Sequence, residues 1–245
     1  MGTRLIPQRR GKGGPAFKTP SHRFFDATQY VHVQGTMRGQ IMQLLTDPAH
    51  STVMAVVLLE NGKTMTYLAA EGLKAGDLIQ VGNDASLKRG NVMPLEKVPE
   101  GVSVFNVELR PGDGGRVSRA SGSASLIVGH DEDTAQVSVR LSSKRVRKLS
   151  PQCWATVGVA SGGGRLEKPL QKAGNSFYAM KSRNKYWPVV RGTAKSAYDH
   201  PHGGRSFGKS SSVSRNAPPG QKVGHIASSR TGRRRGRVEI KNEGD

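Results

Sequence analysis

Apolar and polar residues alternate in short runs along much of the chain, and a period of two marks half-buried β-strands. The pattern predicts strands over Tyr30–Thr36, Gln40–Leu45, Val53–Glu60, Lys63–Ala69 and Leu78–Val81. Asn61-Gly62 separates two of them and is the favoured two-residue hairpin turn. Short strands in close succession, without alternating helices, predict a small closed barrel of the oligonucleotide-binding (OB) kind. A second β-rich block opens near Asn91, with strands expected over Val102–Leu109, Ala124–Val128, Gln136–Leu141, Arg145–Leu149 and Trp154–Val159. Gly129 to Asp133 reads as a turn, and Pro111 to Arg116 as a glycine-rich loop. The length of this block fits an SH3-like barrel.

The alternation is absent at both ends. Glycine and proline interrupt residues 1–27, and no period survives there. After Gly162-Gly163-Gly164 the β pattern fades, and residues 170–245 are dominated by glycine, proline, serine and basic side chains. The expected organisation is therefore mainly β: a basic N-terminal extension over 1–27, an OB-like barrel over 28–88, an SH3-like barrel over 89–169, and a long irregular basic C-terminal extension over 170–245. Neither extension carries enough apolar surface to fold alone, so both are expected to order on a partner.

Charge names that partner's chemistry. Lysine and arginine total 38 against 18 acidic residues, a net charge of +20. The excess sits at the ends: residues 1–25 hold six basic and no acidic side chains, whereas residues 26–110 hold seven and nine. Polyanionic phosphate backbones fit such a distribution, through direct neutralisation and counterion release. A membrane-surface helix would need an apolar face beside its cations, and neither end has one. Cys153 stands alone, which excludes an intrachain disulfide and a cysteine metal cluster. The longest apolar run, Val53–Leu59, is too short to span a bilayer, and no signal-peptide pattern opens the chain. An intracellular, soluble protein is expected.

Candidate contacts follow from side-chain chemistry. Arg9, Arg10, Lys12 and Arg23 charge the N-terminal segment. Arg116 and Arg119 flank Gly112-Asp113-Gly114-Gly115, whose glycines permit close backbone approach to a phosphate; the loop lacks a P-loop ending and a dinucleotide fingerprint. A plain tight turn is the other reading. Lys181, Arg183, Lys185 and Arg191 interleave with Tyr186 and Trp187, which suits phosphate contact combined with base stacking; burial of Trp187 on the second barrel fits equally. Phe17, Phe24 and Phe25 either stack on bases or dock on the protein's own core. Serine-rich 118–125 and 206–214 suit tight loops and phosphate contacts alike. Arg215 and the cluster Arg233, Arg234, Arg235 extend the basic tail. Asp199, His200, Pro201, His202, Gly203 and Gly204 form the most chemistry-like spot. Asp199, His200 and His202 could ligate a metal or form an acid–base pair. No nucleophile or further ligand cluster accompanies them, so a turn contacting RNA is the default. No cofactor, metal or catalytic residue is assigned.

Several of these segments together resemble the universal large-subunit ribosomal protein L-two family, in its archaeal form. The resemblance spans nearly the whole chain. It is carried by Asn91-Val92-Met93-Pro94-Leu95, Pro99-Glu100-Gly101-Val102, Asn106-Val107-Glu108 and Pro111-Gly112-Asp113-Gly114-Gly115. Arg119-Ala120-Ser121-Gly122, Cys153 through Gly158 and Val190-Arg191-Gly192-Thr193-Ala194 add to it. Asp199-His200-Pro201-His202-Gly203-Gly204 is its most specific motif. Departures are Lys195, where the family often has methionine, and Arg205, where a third glycine is common.

The resemblance implies an OB-like domain and an SH3-like barrel whose extensions thread ribosomal RNA near the peptidyl-transferase centre. It implies support of subunit association, tRNA binding and peptide-bond formation without catalysis by the protein, and it maps the family's loop histidine onto His200. Implied partners are large-subunit rRNA, tRNA indirectly, the small subunit through an intersubunit bridge and neighbouring ribosomal proteins, with no membrane, in the cytoplasm. The rival readings are a metal-dependent enzyme built on Asp199, His200 and His202, and a general nucleic-acid chaperone.

Overall fold

The computed structural model describes residues 3–33, 35–131, 135–165, 167–204 and 212–228. Two compact units result. One runs from Pro20 to Ser176; the other combines the described residues of Met1–Thr19 with those of Phe177–Asp245.

The Pro20–Ser176 unit is built on a ten-stranded sheet. Its strands are β1 (Thr36–Leu45), β2 (Met54–Leu59), β3 (Thr64–Leu68), β4 (Leu78–Gly82), β5 (Val92–Pro94), β6 (Ser103–Phe105), β7 (Ser125–Asp131), β8 (Gln136–Arg140), β9 (Val146–Leu149) and β10 (Trp154–Val157). The spatial order is β3-β2-β1-β4-β5-β10-β6-β7-β8-β9. The architecture is mainly β, as the alternation implied.

The sheet wraps two large apolar cores and a smaller third one of Met54, Leu68, Ala70, Phe105 and Ala160. Tyr30, Ile41, Val57, Tyr67, Ile79, Val81, Val92 and Trp154 fill the first. Met93, Leu95, Val98, Val104, Val107, Ile127, Val137, Val139, Leu149 and Cys153 fill the second. The antiparallel pair β5–β10 belongs to both. Its register sets Trp154 opposite Pro94 and Ala155 opposite Met93. Because successive side chains leave a strand on opposite faces, Val92 and Trp154 enter the first core while Met93 and Ala155 enter the second.

Local departures from the sequence reading have identifiable causes. Among the described residues of Tyr30–Thr36, residues 30–33 and Gly35 form no strand, and β1 begins at Thr36. The alternation comes from one-sided burial of an unladdered strap: Tyr30 is buried, and Val31 and Val33 pack on the first core. The Tyr30 hydroxyl donates to the Asn106 carbonyl at 2.7 Å and lies 2.7 Å from Thr156 Oγ1. Val102–Leu109 is paired over β6 and again at Val107, which bridges Val117; between them Asn106 adopts a left-handed φ of 50° that interrupts the strand. Gly129–Asp131 is ladder, not turn: a register shift after Ile127 lets Gly129, His130 and Asp131 pair with Ser138, Val137 and Gln136. β5 is a strand that the alternation did not reveal, since three consecutive buried residues carry no period.

The second unit carries helix α1 (Ile6–Gly11), which begins with proline in its first turn, where the missing N–H is harmless. A longer helix, α2 (Ala173–Ser182), starts in the Pro20–Ser176 unit, enters the second unit at Phe177 and buries none of its residues. Its C-terminus is closed by Asn184 in the left-handed region, φ 51°. The Asn184 amide donates to Lys181 O at 3.0 Å and the Lys185 amide to Met180 O at 2.9 Å, a Schellman closure. The short parallel pair β11 (Ser212–Val213) and β12 (His225–Ile226) completes the described part. No helix among the described residues is long and apolar enough to cross a membrane.

Candidate nucleic-acid interface

The glycine-rich loop is shaped from beneath by a buried carboxylate. Glu108 is 0% exposed. Its Oε1 accepts from the Gly114 amide at 3.0 Å, and its Oε2 from the Gly112 amide at 3.2 Å and the Trp154 amide at 2.9 Å. His32 Nε2 lies 3.2 Å from Oε1. Gly115 is confined by Asn106: a Cβ there would sit 2.6 Å from the Asn106 carbonyl oxygen, and its φ is 87°. The loop is therefore a rigid platform with its inward amides already satisfied, and Arg116 stands exposed on it, 3.9 Å from Asp113.

Arg119 faces the other way. It is half-buried, and its guanidinium donates to Thr28 Oγ1, to Gly115 O at 3.2 Å and to His50 Nε2 at 3.3 Å. Arginine has no acceptor, so His50 accepts through Nε2 and donates through Nδ1 to the buried Asp47 carboxylate at 2.9 Å. Burial draws the Arg119 pKa below its usual value. The side chain ties the strap, the 47–50 turn and the glycine loop together. No local pattern in the sequence announces these partners, which lie far away along the chain.

In the second unit, the Asp199–Gly204 loop closes on itself. Gly203 donates to His200 O at 2.8 Å and Gly204 to Lys195 O at 3.0 Å. Gly203 runs so close to the opposite chain that a Cβ would lie 2.1 Å from Ser196 O and 2.5 Å from Lys195 O. Gly192 lies against the His200 ring, where a Cβ would come within 2.4 Å of Cε1. The His202 amide donates to His200 Nδ1 at 3.0 Å, which fixes the neutral tautomer with its proton on Nε2. Burial, then His202 and Lys195, hold the His200 pKa below the ordinary histidine value. Asp199 is exposed; Thr3 Oγ1 donates to its Oδ1 at 2.7 Å and Ser196 Oγ to its Oδ2 at 3.0 Å, and these hydroxyls lower its pKa.

Both Asp199 oxygens and His200 Nδ1 thus have hydrogen-bond donors of their own. Among the described residues no three His, Cys, Asp or Glu side chains group as metal ligands. His202 Nε2 is buried without a hydrogen-bond partner among the described residues. A cavity of about 620 Å³ beside the loop is lined by Thr3, Arg4, Gln8, Asp199, His200 and His202, among others. Hydrogen-bonding groups and cations without a nucleophile suit recognition of phosphate, ribose or base edges rather than bond making.

The remaining cations are displayed on the surface. Arg9, Arg10, Lys12, Arg23, Lys181, Arg183, Lys185, Arg191 and Arg215 are exposed. Arg9 lies 6.0 Å from the Tyr186 ring centroid, on which Phe17 also stacks at 6.0 Å. Trp187 is half-buried, 6.5 Å from Phe177. Phe24 is half-buried and Phe25 is exposed. Asn184, besides closing α2, donates its side-chain amide to the carbonyls of Pro15 and Lys18, the latter at 2.8 Å. The pattern of the sequence does not single it out; an asparagine after a helix-compatible stretch is the available signal. Arg205, Arg233, Arg234 and Arg235 lie outside the described residues.

The family described as "Ribosomal Proteins L2, C-terminal domain" matches residues 88–223. The large ribosomal subunit protein uL2 of Methanopyrus kandleri is 45% identical over 241 residues, covering 95% of this chain and 98% of that protein. The uL2 of Halorubrum lacusprofundi is 49% identical over 238 residues, covering 95% and 98%. That of Korarchaeum cryptofilum is 44% identical over 246 residues, covering 98% and 100%. With these similarities spanning almost its full length, the chain belongs to the ribosomal L2 (uL2) family of large-subunit proteins, in its archaeal form.

Proposed function

We propose that this structural, non-enzymatic protein of the large ribosomal subunit binds large-subunit rRNA beside the peptidyl-transferase centre. From there it supports subunit association, tRNA binding and peptide-bond formation. The observation that carries the reading is the self-closed Asp199–Gly204 loop, whose glycines allow a tight backbone and whose neutral His200 presents an Nε2 proton. RNA supplies the chemistry, and the loop supplies position. The division of labour runs along the chain: extension 1–27, OB-like barrel 28–88, SH3-like barrel 89–169 and extension 170–245. Arg9, Arg10, Lys12, Arg23, Arg116, Lys181, Arg183, Lys185, Arg191 and Arg215 neutralise phosphates, as do Arg233, Arg234 and Arg235. Arg119 serves from within by holding the loop that bears Arg116. The partners are rRNA, tRNA indirectly, the small subunit through a bridge and adjacent ribosomal proteins, in cytoplasmic ribosomes.

The test is chemical footprinting of the full chain on transcribed large-subunit rRNA, with unrelated folded RNA as competitor. The expected result is protection clustered near the peptidyl-transferase centre, resistant to competitor and shifted by His200→Ala. Equal competition by unrelated RNA would make the protein a general nucleic-acid chaperone and reject the reading.

A further inference from the structure

The two edges of the ten-stranded sheet differ in character. Edge strand β3 carries no charged residue, and the strap lies beside it: the Gln29 amide donates to Thr66 O at 3.0 Å. Edge strand β9 has no such cover among the described residues, and its surroundings are cationic. From Arg140 through the β8–β9 turn to Lys148 the sequence reads Arg-Leu-Ser-Ser-Lys-Arg-Val-Arg-Lys, with no acidic residue. All of these cations are exposed. Lys148 pairs with Asp131 at 3.0 Å. Arg140, Lys144, Arg145 and Arg147 have no carboxylate within ion-pair distance among the described residues.

The register distributes them over both sides of the edge. Val139 pairs with Arg147 and Arg140 with Val146, so Arg140 and Arg147 belong to opposite faces. Arg145 and Arg147, two residues apart, share a face with their Cα atoms about 6.8 Å apart along the strand. The strand thus offers a linear row of positive charge, the shape of a phosphate backbone.

The turn supplies an independent observation. It is a three-residue hairpin connection, with the Leu141 amide donating to Arg145 O at 2.9 Å and the Lys144 amide to Leu141 O at 2.8 Å. Its last residue, Lys144, has φ 66°. Glycine is the default at that left-handed position, because a side chain there is strained. A lysine where glycine would be easier marks a charge wanted at the tip of the row. Deterring edge-to-edge pairing would require neither a strained residue nor so many cations.

We propose that β9 and the 142–145 turn form a phosphate-binding rail, a further rRNA-binding element in addition to the glycine loop, the Asp199–Gly204 loop and the extensions. This rests on the reading of the chain as an rRNA-binding protein. The rail reads backbone and not base, so it adds affinity without sequence preference.

The experiment titrates the full chain against transcribed large-subunit rRNA across a salt series. Each phosphate that is no longer neutralised lowers the slope of log affinity against log salt by about 0.7–0.9. The triple variant Lys144→Gln, Arg145→Gln, Arg147→Gln is expected to lower the slope by roughly 2–3, with affinity on the order of tenfold weaker at physiological salt. Lys144→Gly is the control for folding. It relieves the strained turn, so thermal stability should rise while the slope still falls by the amount due to a single phosphate. A folded triple variant with an unchanged slope overturns the rail and leaves β9 as edge protection or a seat for an acidic protein neighbour. An unmodified chain with no salt-dependent binding would overturn the proposed function as well.

Discussion

Replacing Glu108 with glutamine tests whether the buried carboxylate sets the glycine loop. The substitution keeps the shape and exchanges one acceptor oxygen for an NH2 group. Oε2 faces two amides, Gly112 and Trp154, so the new NH2 is better tolerated at the Oε1 position. There it can donate to His32 Nε2 but opposes the Gly114 amide, now 3.0 Å from another donor. One buried N–H is left unsatisfied, at a cost of about 1–3 kcal/mol. For a unit of this size, 1 kcal/mol moves Tm by roughly 2–4 °C, so Glu108→Gln should lower Tm by about 2–12 °C. Thermal unfolding of the full chain, together with hydrogen exchange at Gly112 and Gly114, reads both consequences. The Gly114 amide should lose protection more than Gly112. A variant with unchanged Tm and an unchanged Gly114 exchange rate would refute the idea that this carboxylate holds the loop.

Three further outcomes are expected. Gly203→Ala forces a Cβ against the Ser196 and Lys195 carbonyls, so rRNA affinity should fall while amide NMR signals from the Pro20–Ser176 unit stay in place; shifts throughout that unit would count against a local effect. His200 titrates below the ordinary histidine value, so the neutral loop geometry is fully favoured above about pH 6.5 and is lost as pH falls through the depressed pKa. An NMR titration with its midpoint at or above the unperturbed value would contradict this. Burial pushes the Cys153 thiol up to about 11. The folded state therefore binds its proton more tightly than the unfolded chain, and stability should decline between about pH 9 and 11. Iodoacetamide labelling of the native protein should stay slow through that range, and fast labelling at neutral pH would disprove the burial argument.

The strands legible in the sequence are those whose period of two coincides with a ladder, such as β2 and β3 around Asn61-Gly62. The strap at Tyr30 has the same period but obtains it from one-sided packing, so pattern alone could not separate the two. β5 was invisible because both of its faces are buried. Asn106 is of a residue type that tolerates the left-handed region, but the pattern does not single it out from the other asparagines; its conformation accompanies the close passage of Gly115. The Asp199–Gly204 motif was readable as a unit, whereas its closure over Gly192 and Lys195 depends on backbone geometry. Arg119 reads as a surface cation beside a glycine loop. Its inward turn depends on Thr28 and His50, which only the folded chain brings near.

The strand pair β5–β10 ties the order of synthesis to the order of folding. The first core is assembled largely from the chain before Gly82, yet it remains open until Val92 and Trp154 arrive. A nascent chain ending short of β10 would expose apolar surface on both cores at once. Domains made early in translation usually fold first; here the N-terminal core must wait for the last strand of its neighbour, so truncations between them should yield aggregation-prone fragments rather than separable modules.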